Sequence, residues 1–345
     1  MIPRCCPRFR LTWRLLIPLA ALTSVVVFAA KGSTERDDVL GKGDHRYRWV
    51  QGWGELPEGM SMGNTHGAIV SDRSGSIYVN TDADHAVLVY SPDGALQRSF
   101  GKEYRGGLHG MTLVEEDGDQ YLYVAHTGRH VVAKLTLEGE TLWTLGYPHE
   151  TDIYASEGEY RPTSIAVADN GDLYVADGYG KSWIHHYDKD RRYLSSFGGP
   201  GTEPGKMRTP HGIWIDRRGD RPVLGVADRE NNRLQFFGLD GELLSVVTGI
   251  FRRPCSIQQH EGHLVIADLA GRVTILNEKN ELVCHLGDQP DPNLRAQNGV
   301  PKDKWLDGIF ISPHNAHWDA NGDLYVLDWV SAGRVSKLEH IRKDG

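Results

Sequence analysis

Pro210-His211-Gly212-Ile213-Trp214-Ile215-Asp216 and, shortly after it, Val226-Ala227-Asp228-Arg229-Glu230-Asn231-Asn232-Arg233-Leu234 decide the fold. The first stretch reads as a histidine at the head of a short apolar strand that ends in a turn. The second reads as another strand followed by a charged loop. The same unit recurs from Thr65-His66-Gly67 through Leu108-His109-Gly110, Pro162-Thr163-Ser164 and Pro254-Cys255-Ser256 to Pro313-His314-Asn315. The six head positions are 43, 54, 48, 44 and 59 residues apart.

After each head comes a turn, such as Asp169 to Gly171, then a strand such as Leu173-Tyr174-Val175 or Leu324-Tyr325-Val326. A polar loop, a third strand and a fourth strand ending in Phe100-Gly101, Leu145-Gly146, Phe197-Gly198 or Leu286-Gly287 complete the unit. Four short strands in each of six repeats predict an all-β, six-bladed β-propeller over residues 46–340. The sixth unit stops after its third strand. The stretch Tyr47 to Gly54 supplies the missing fourth, so an N-terminal strand is expected to close the ring in the last blade.

Bulk properties bound the function. Forty glycines, fourteen tyrosines and nine tryptophans in 345 residues suit many short strands with tight turns. A net charge of −8, with no block of Lys or Arg, excludes nucleic acid as a partner. Residues 1–30 place Arg4, Arg8, Arg10 and Arg14 ahead of the apolar run Leu15 to Phe28. They read as a signal peptide or an N-terminal membrane anchor, with 31–45 as a linker. The expectation is an exported protein, periplasmic or extracellular, with membrane contact only through an uncleaved N-terminus. A monomer is expected. Cys5 and Cys6 precede the apolar run; Cys255 and Cys284 fall on the innermost and outermost strands of one blade, too far apart to bridge.

In a propeller the first strand of each blade lines the central channel, so the heads gather at one mouth. The loops between second and third strands share that face. His109, His211 and His314 head alternate blades, which aims three imidazoles at one axis. Three neutral histidines with an open fourth position are the donor set of a catalytic zinc. The plainer reading is that His-Gly fills the turn into the strand with the ring packed or water-bonded. His66 is a candidate fourth ligand, a donor behind the ligands, or a channel liner. His126 stands where the other loops carry Asp and is read as a surface residue or a channel-mouth donor, and His317, three residues after His314, is read as structural. Asp177, Asp228, Asp268 and Asp328 recur and are read as satisfying backbone turns.

The blade built on Pro210-His211-Gly212 and Val226 to Arg233 resembles the lyase domain of peptidylglycine α-amidating monooxygenase, an NHL-type six-bladed propeller. The resemblance covers about residues 45–340 and is most specific in blades 3, 4 and 6. It implies a zinc held by His109, His211 and His314, with Tyr179 of Ala176-Asp177-Gly178-Tyr179 and Arg229 as catalytic residues. It implies cleavage of the N–C bond of a peptidyl α-hydroxyglycine, or a similar small carbinolamide, to an amide and glyoxylate. Two matches fail. The blade 1 loop, Asn80 to His85, has no arginine where the family has one. Asn315 replaces an Asp that binds a structural calcium near Ala68 and Met111, which weakens a Ca2+ position there. The rival expectations are a non-catalytic NHL propeller that binds a protein or glycan, and a calcium-dependent lactone hydrolase. The histidine-rich heads argue against the latter.

Overall fold

The computed structural model describes residues 39–342. Residues 1–38, and with them the expected signal or anchor segment, lie outside the described residues. Six antiparallel sheets follow one another along the chain. Blades 1 to 5 have four strands each, beginning at Ile69, Leu108, Ser164, Pro210 and Pro254. The innermost strands pack in the order 1-2-3-4-5-6 and back to 1, which closes the ring.

Blade 6 runs Pro313–Trp318, Leu324–Asp328 and Arg334–His340, and its fourth strand is His45–Val50 from the other end of the chain. Tyr47 pairs with His340 and Trp49 with Leu338, both antiparallel. Tyr47 accepts a hydrogen bond from Trp318 Nε1 at 2.9 Å, which ties the closing strand to the innermost one. Residues 39–45, expected within the linker, instead extend this blade. Val39–Lys42 pairs with His45–Arg48 as a fifth, outermost strand.

Each second strand is sandwiched between neighbouring blades on both faces, so it is apolar throughout rather than alternating. Ile77, Val79, Leu122, Val124, Leu173, Val175, Leu264, Ile266, Leu324 and Val326 are fully buried. Each such side chain contributes about 1.5–3 kcal/mol. Outermost strands keep side chains in solvent; Leu142, Leu194 and Leu244 are exposed at equivalent bulge positions and Leu282 at the start of its strand.

Buried aspartates at the ends of the second strands fix the loops that lead into the heads. Asp228 accepts from Arg208 N at 2.7 Å and from Arg233 Nε at 2.7 Å. Asp268 accepts from Arg252 N, and Asp328 from Ile311 N and Ser312 N. Asp177 accepts from Arg161 N at 2.7 Å. A buried carboxylate survives because these donors replace the water it lost. In blade 2 the equivalent residue is His126, buried, which donates from Nε2 to Tyr104 O and accepts Arg129 N on Nδ1. It fills the same scaffolding place from a neutral ring.

Candidate metal centre

A β-bulge marks four of the six heads. Strand pairing skips between Leu108 and Gly110, Pro210 and Ile213, Pro254 and Ser256, and Pro313 and Asn315. The unpaired residues are His109, His211 with Gly212, Cys255 and His314. A bulge re-aims one side chain without ending the strand. Here it aims them into the channel mouth, where all four are at most 3% exposed.

The three predicted histidines are held alike. His109 Nδ1 donates to Thr163 O at 2.7 Å, His211 Nδ1 to Cys255 O at 2.9 Å, and His314 Nδ1 to Gly67 O at 2.8 Å. Each acceptor belongs to the next blade. That bond fixes the tautomer and leaves the Nε2 lone pair facing the axis. Glycine follows the first two histidines because the accepting carbonyl comes so close. A Cβ on Gly110 would lie 2.5 Å from Thr163 O, and one on Gly212 would lie 2.4 Å from Cys255 O. The rings form a near-equilateral triangle, with centroids 4.7 Å apart for 109–211 and 211–314 and 4.9 Å for 109–314. Burial holds all three well below the ordinary histidine pKa, so they are neutral.

Tyr179 stands among them. Its hydroxyl is 3.0 Å from His66 Nε2, 3.2 Å from His109 Nε2 and 2.9 Å from His211 Nε2, and accepts Arg229 NH1 at 3.2 Å. A phenol has one proton to give. At least one of His109 and His211 therefore faces the oxygen with an unfilled lone pair, and His314 Nε2 is buried with no partner at all. This surplus of buried lone pairs is what a cation would satisfy. Donor atoms of His66, His109 and His314 lie within 4.8 Å of one another, as do those of His211, Cys255 and His314. Cys255 is the donor that sequence reading missed. It stands at a head position, and, as its distance from Cys284 predicts, both cysteines are free thiols.

Two mouth loops bring in the polar partners. Gly178 passes close under Pro210 O, where a Cβ would sit at 2.3 Å, and swings Tyr179 over the channel. Arg229 begins a single 3-10 turn, its amide bonded to Thr209 O. Its Nε donates to Glu230 at 2.9 Å, its guanidinium carbon lies 5.3 Å from the Tyr179 ring centre, and its charge pulls against the burial that raises the Cys255 thiol to about 11. Glu230 is shared with Arg253 at 2.7 Å. Burial pushes the Tyr179 phenol up to about 12, against the pull of Arg229. Burial and the Arg229 charge together take His66 down to about 4. His66 also packs against Trp329, with ring centroids 5.5 Å apart.

Below the heads the channel encloses a cavity of about 140 Å³ lined by all six innermost strands. The oxygens expected near a calcium have protein donors: Asn315 Oδ1 accepts Ile69 N at 3.2 Å, and Ala68 O accepts Asn80 N at 3.1 Å. His317 bonds Ser71 Oγ of blade 1 at 2.8 Å and packs as a channel-wall residue. In the blade 1 loop Asp82 accepts from Asn64, which in turn accepts from Asn298 of the long insertion before blade 6. The nearby Arg105 pairs outward with Asp84.

The NHL repeat family matches residues 160–187. NHL repeat-containing protein 3 of Homo sapiens is 28% identical over 237 residues, spanning 65% of this chain and 67% of that protein. Peptidyl-alpha-hydroxyglycine alpha-amidating lyase 1 of Drosophila melanogaster is 30% identical over 167 residues, 45% of this chain and 29% of that protein. The chain spans less than half the length of the amidating lyases it matches. A streptogramin B lyase structure superposes with a TM-score of 0.57 at 15% identity over 81% of this chain and 95% of that one, a likeness of fold alone. The chain is a six-bladed β-propeller that carries an NHL repeat at residues 160–187 and resembles the peptidyl-α-hydroxyglycine α-amidating lyases.

Proposed function

We propose that this propeller is a zinc-dependent lyase that cleaves the N–C bond of a peptidyl α-hydroxyglycine, or a similar carbinolamide, to an amide and glyoxylate. The observation that carries the reading is the identical tethering of His109, His211 and His314 by Nδ1, with three Nε2 lone pairs turned to one point beside Tyr179. The lyase names of the relatives agree with it. His109, His211 and His314 would hold the ion, with His66 beside them. Zinc would act there as a Lewis acid that makes a bound hydroxyl easier to deprotonate.

The chain's own groups account for the rest. The positive charges of Arg229 and of a bound ion would offset the burial that raises the phenol, so that the Tyr179 oxygen stands as phenolate and accepts the substrate hydroxyl proton. The C–O bond then becomes a carbonyl, the C–N bond breaks, and the amide nitrogen takes the proton back from Tyr179. No electron acceptor is needed and atoms balance. Arg229 stabilises the phenolate or binds the substrate carboxylate, and it does so without a partner from the blade 1 mouth loop, Asn80 to His85, which has no arginine. The substrate would reach the mouth from the exported side of a membrane.

Glyoxylate release from an α-hydroxyglycine peptide, measured on protein carrying one equivalent of zinc, tests the proposal. The His211→Ala variant should lose both the zinc and the activity. Protein that takes up no zinc, or carries it and still releases no glyoxylate, would leave a non-catalytic propeller that binds a protein or glycan, a reading kept open by the similarity to NHL repeat-containing protein 3.

A further inference from the structure

His314 Nε2, buried and without a partner, shares its surroundings with His211 and Cys255, and donor atoms of the three lie within 4.8 Å of one another. Cys255 occupies in blade 5 the bulged head position that His211 and His314 occupy in blades 4 and 6. It is 1% exposed, and the positive charge of Arg229 acts on its thiol. A buried free cysteine is ordinarily a small apolar filler. This one differs because it stands at a bulged head beside an unfilled imidazole lone pair, within the field of a buried guanidinium.

Charge gives the second reason. Three neutral imidazoles bring no negative charge to a divalent ion, and Arg229 adds a further positive one. Glu230 is already divided between Arg229 and Arg253. An uncompensated positive cluster in a buried mouth is costly. Besides the Tyr179 phenol, the Cys255 thiol is the group here that can release a proton and supply the missing charge. A coordinated thiol gives up its proton on binding.

We propose that Cys255 is a metal ligand, its thiolate binding together with Nε2 of His211 and His314, so that the centre takes a borderline-soft divalent ion through sulfur as well as nitrogen. The inference rests on the reading above that these imidazoles hold an ion. It makes Cys255 a determinant of which metal is kept, since thiolate ligands favour zinc over magnesium, calcium or manganese.

Cobalt(II) titration of the full chain tests it without reference to activity. The wild-type protein should show a near-ultraviolet sulfur-to-cobalt band. In Cys255→Ser that band should vanish and cobalt affinity should fall at least about tenfold. Cys284→Ser, on the outermost strand of the same blade, should keep both. Cadmium-113 resonance of the wild-type protein needs no variant and should fall in the sulfur-ligated range. Cobalt bound without a sulfur band, or bound equally by Cys255→Ser, overturns this proposal and leaves the imidazole reading standing. A wild-type protein that takes up no cobalt overturns both.

Discussion

Gly212 and Cys255 lie so close that a methyl group on the first would meet the carbonyl oxygen of the second at 2.4 Å. That oxygen is the one that accepts His211 Nδ1. Gly212→Ala should push the two blades apart and loosen the imidazole. The expected cost is about 1–3 kcal/mol in stability and roughly 10–100-fold in metal affinity. Urea denaturation and isothermal titration with zinc measure the two. A variant with the wild-type midpoint and affinity would show that the tether does not hold the ligand.

Tyr179→Phe removes the oxygen that meets His66, His109, His211 and Arg229, while leaving the ring in place. Turnover of an α-hydroxyglycine peptide should fall by about 10²–10⁴, with zinc content unchanged. Unchanged turnover would remove the phenol from the reaction.

Metal removal should lower stability, because the neutral histidines then face one another with unfilled lone pairs. Zinc at 100 times its dissociation constant should add about 2.7 kcal/mol. Differential scanning calorimetry with and without chelator reads the shift. His314→Ala should not respond to the chelator; if it responds as the wild type does, the ion sits elsewhere.

A second buried network predicts a pH dependence away from the mouth. Asp177 accepts from Tyr154, whose hydroxyl is 2.6 Å from His185 Nε2, and His185 Nδ1 meets Ser196 Oγ at 2.7 Å. His185 has no exposed surface, and burial pushes it down to about 3. The unfolded ring titrates near 6.5. Its neutral form therefore contributes stability that is complete above pH 6.5 and declines as pH falls toward 3, at up to about 1.4 kcal/mol per pH unit. Burial raises Asp177 to about 6, which acts in the opposite sense below that pH but is common to wild type and variant. The stability gap between wild type and His185→Gln should narrow by about 2 kcal/mol between pH 6.5 and 5. Denaturant midpoints that stay parallel across that range would refute it.

Much of this was legible in the chain because a repeat states the same thing six times. The heads, the buried Leu-Tyr-Val strands and the loop aspartates fall at fixed offsets, and the incomplete sixth unit points to the strand around Trp49. The convergence of His109, His211 and His314 follows from their alternation around a ring. What the pattern could not carry was local. The bulges that aim the heads depend on hydrogen bonds skipped across strands, which leave no residue signature beyond His-Gly. A single thiol at one head carries no periodic signal, so only the bulge that turns Cys255 toward His314 marks it as a donor. The pairing of Val39–Lys42 depends on an exposed edge rather than on a repeat, so it read as linker.

The seam in blade 6 governs assembly as well as shape. Its fourth strand, His45–Val50, is made before the five complete blades and finds its partner, Arg334–His340, only after all of them. Until then five blades have no sixth to lean on, and the mouth lacks His314. Such a ring acquires its donor set in one late event, and a nascent or truncated chain would carry imidazoles with nowhere to converge.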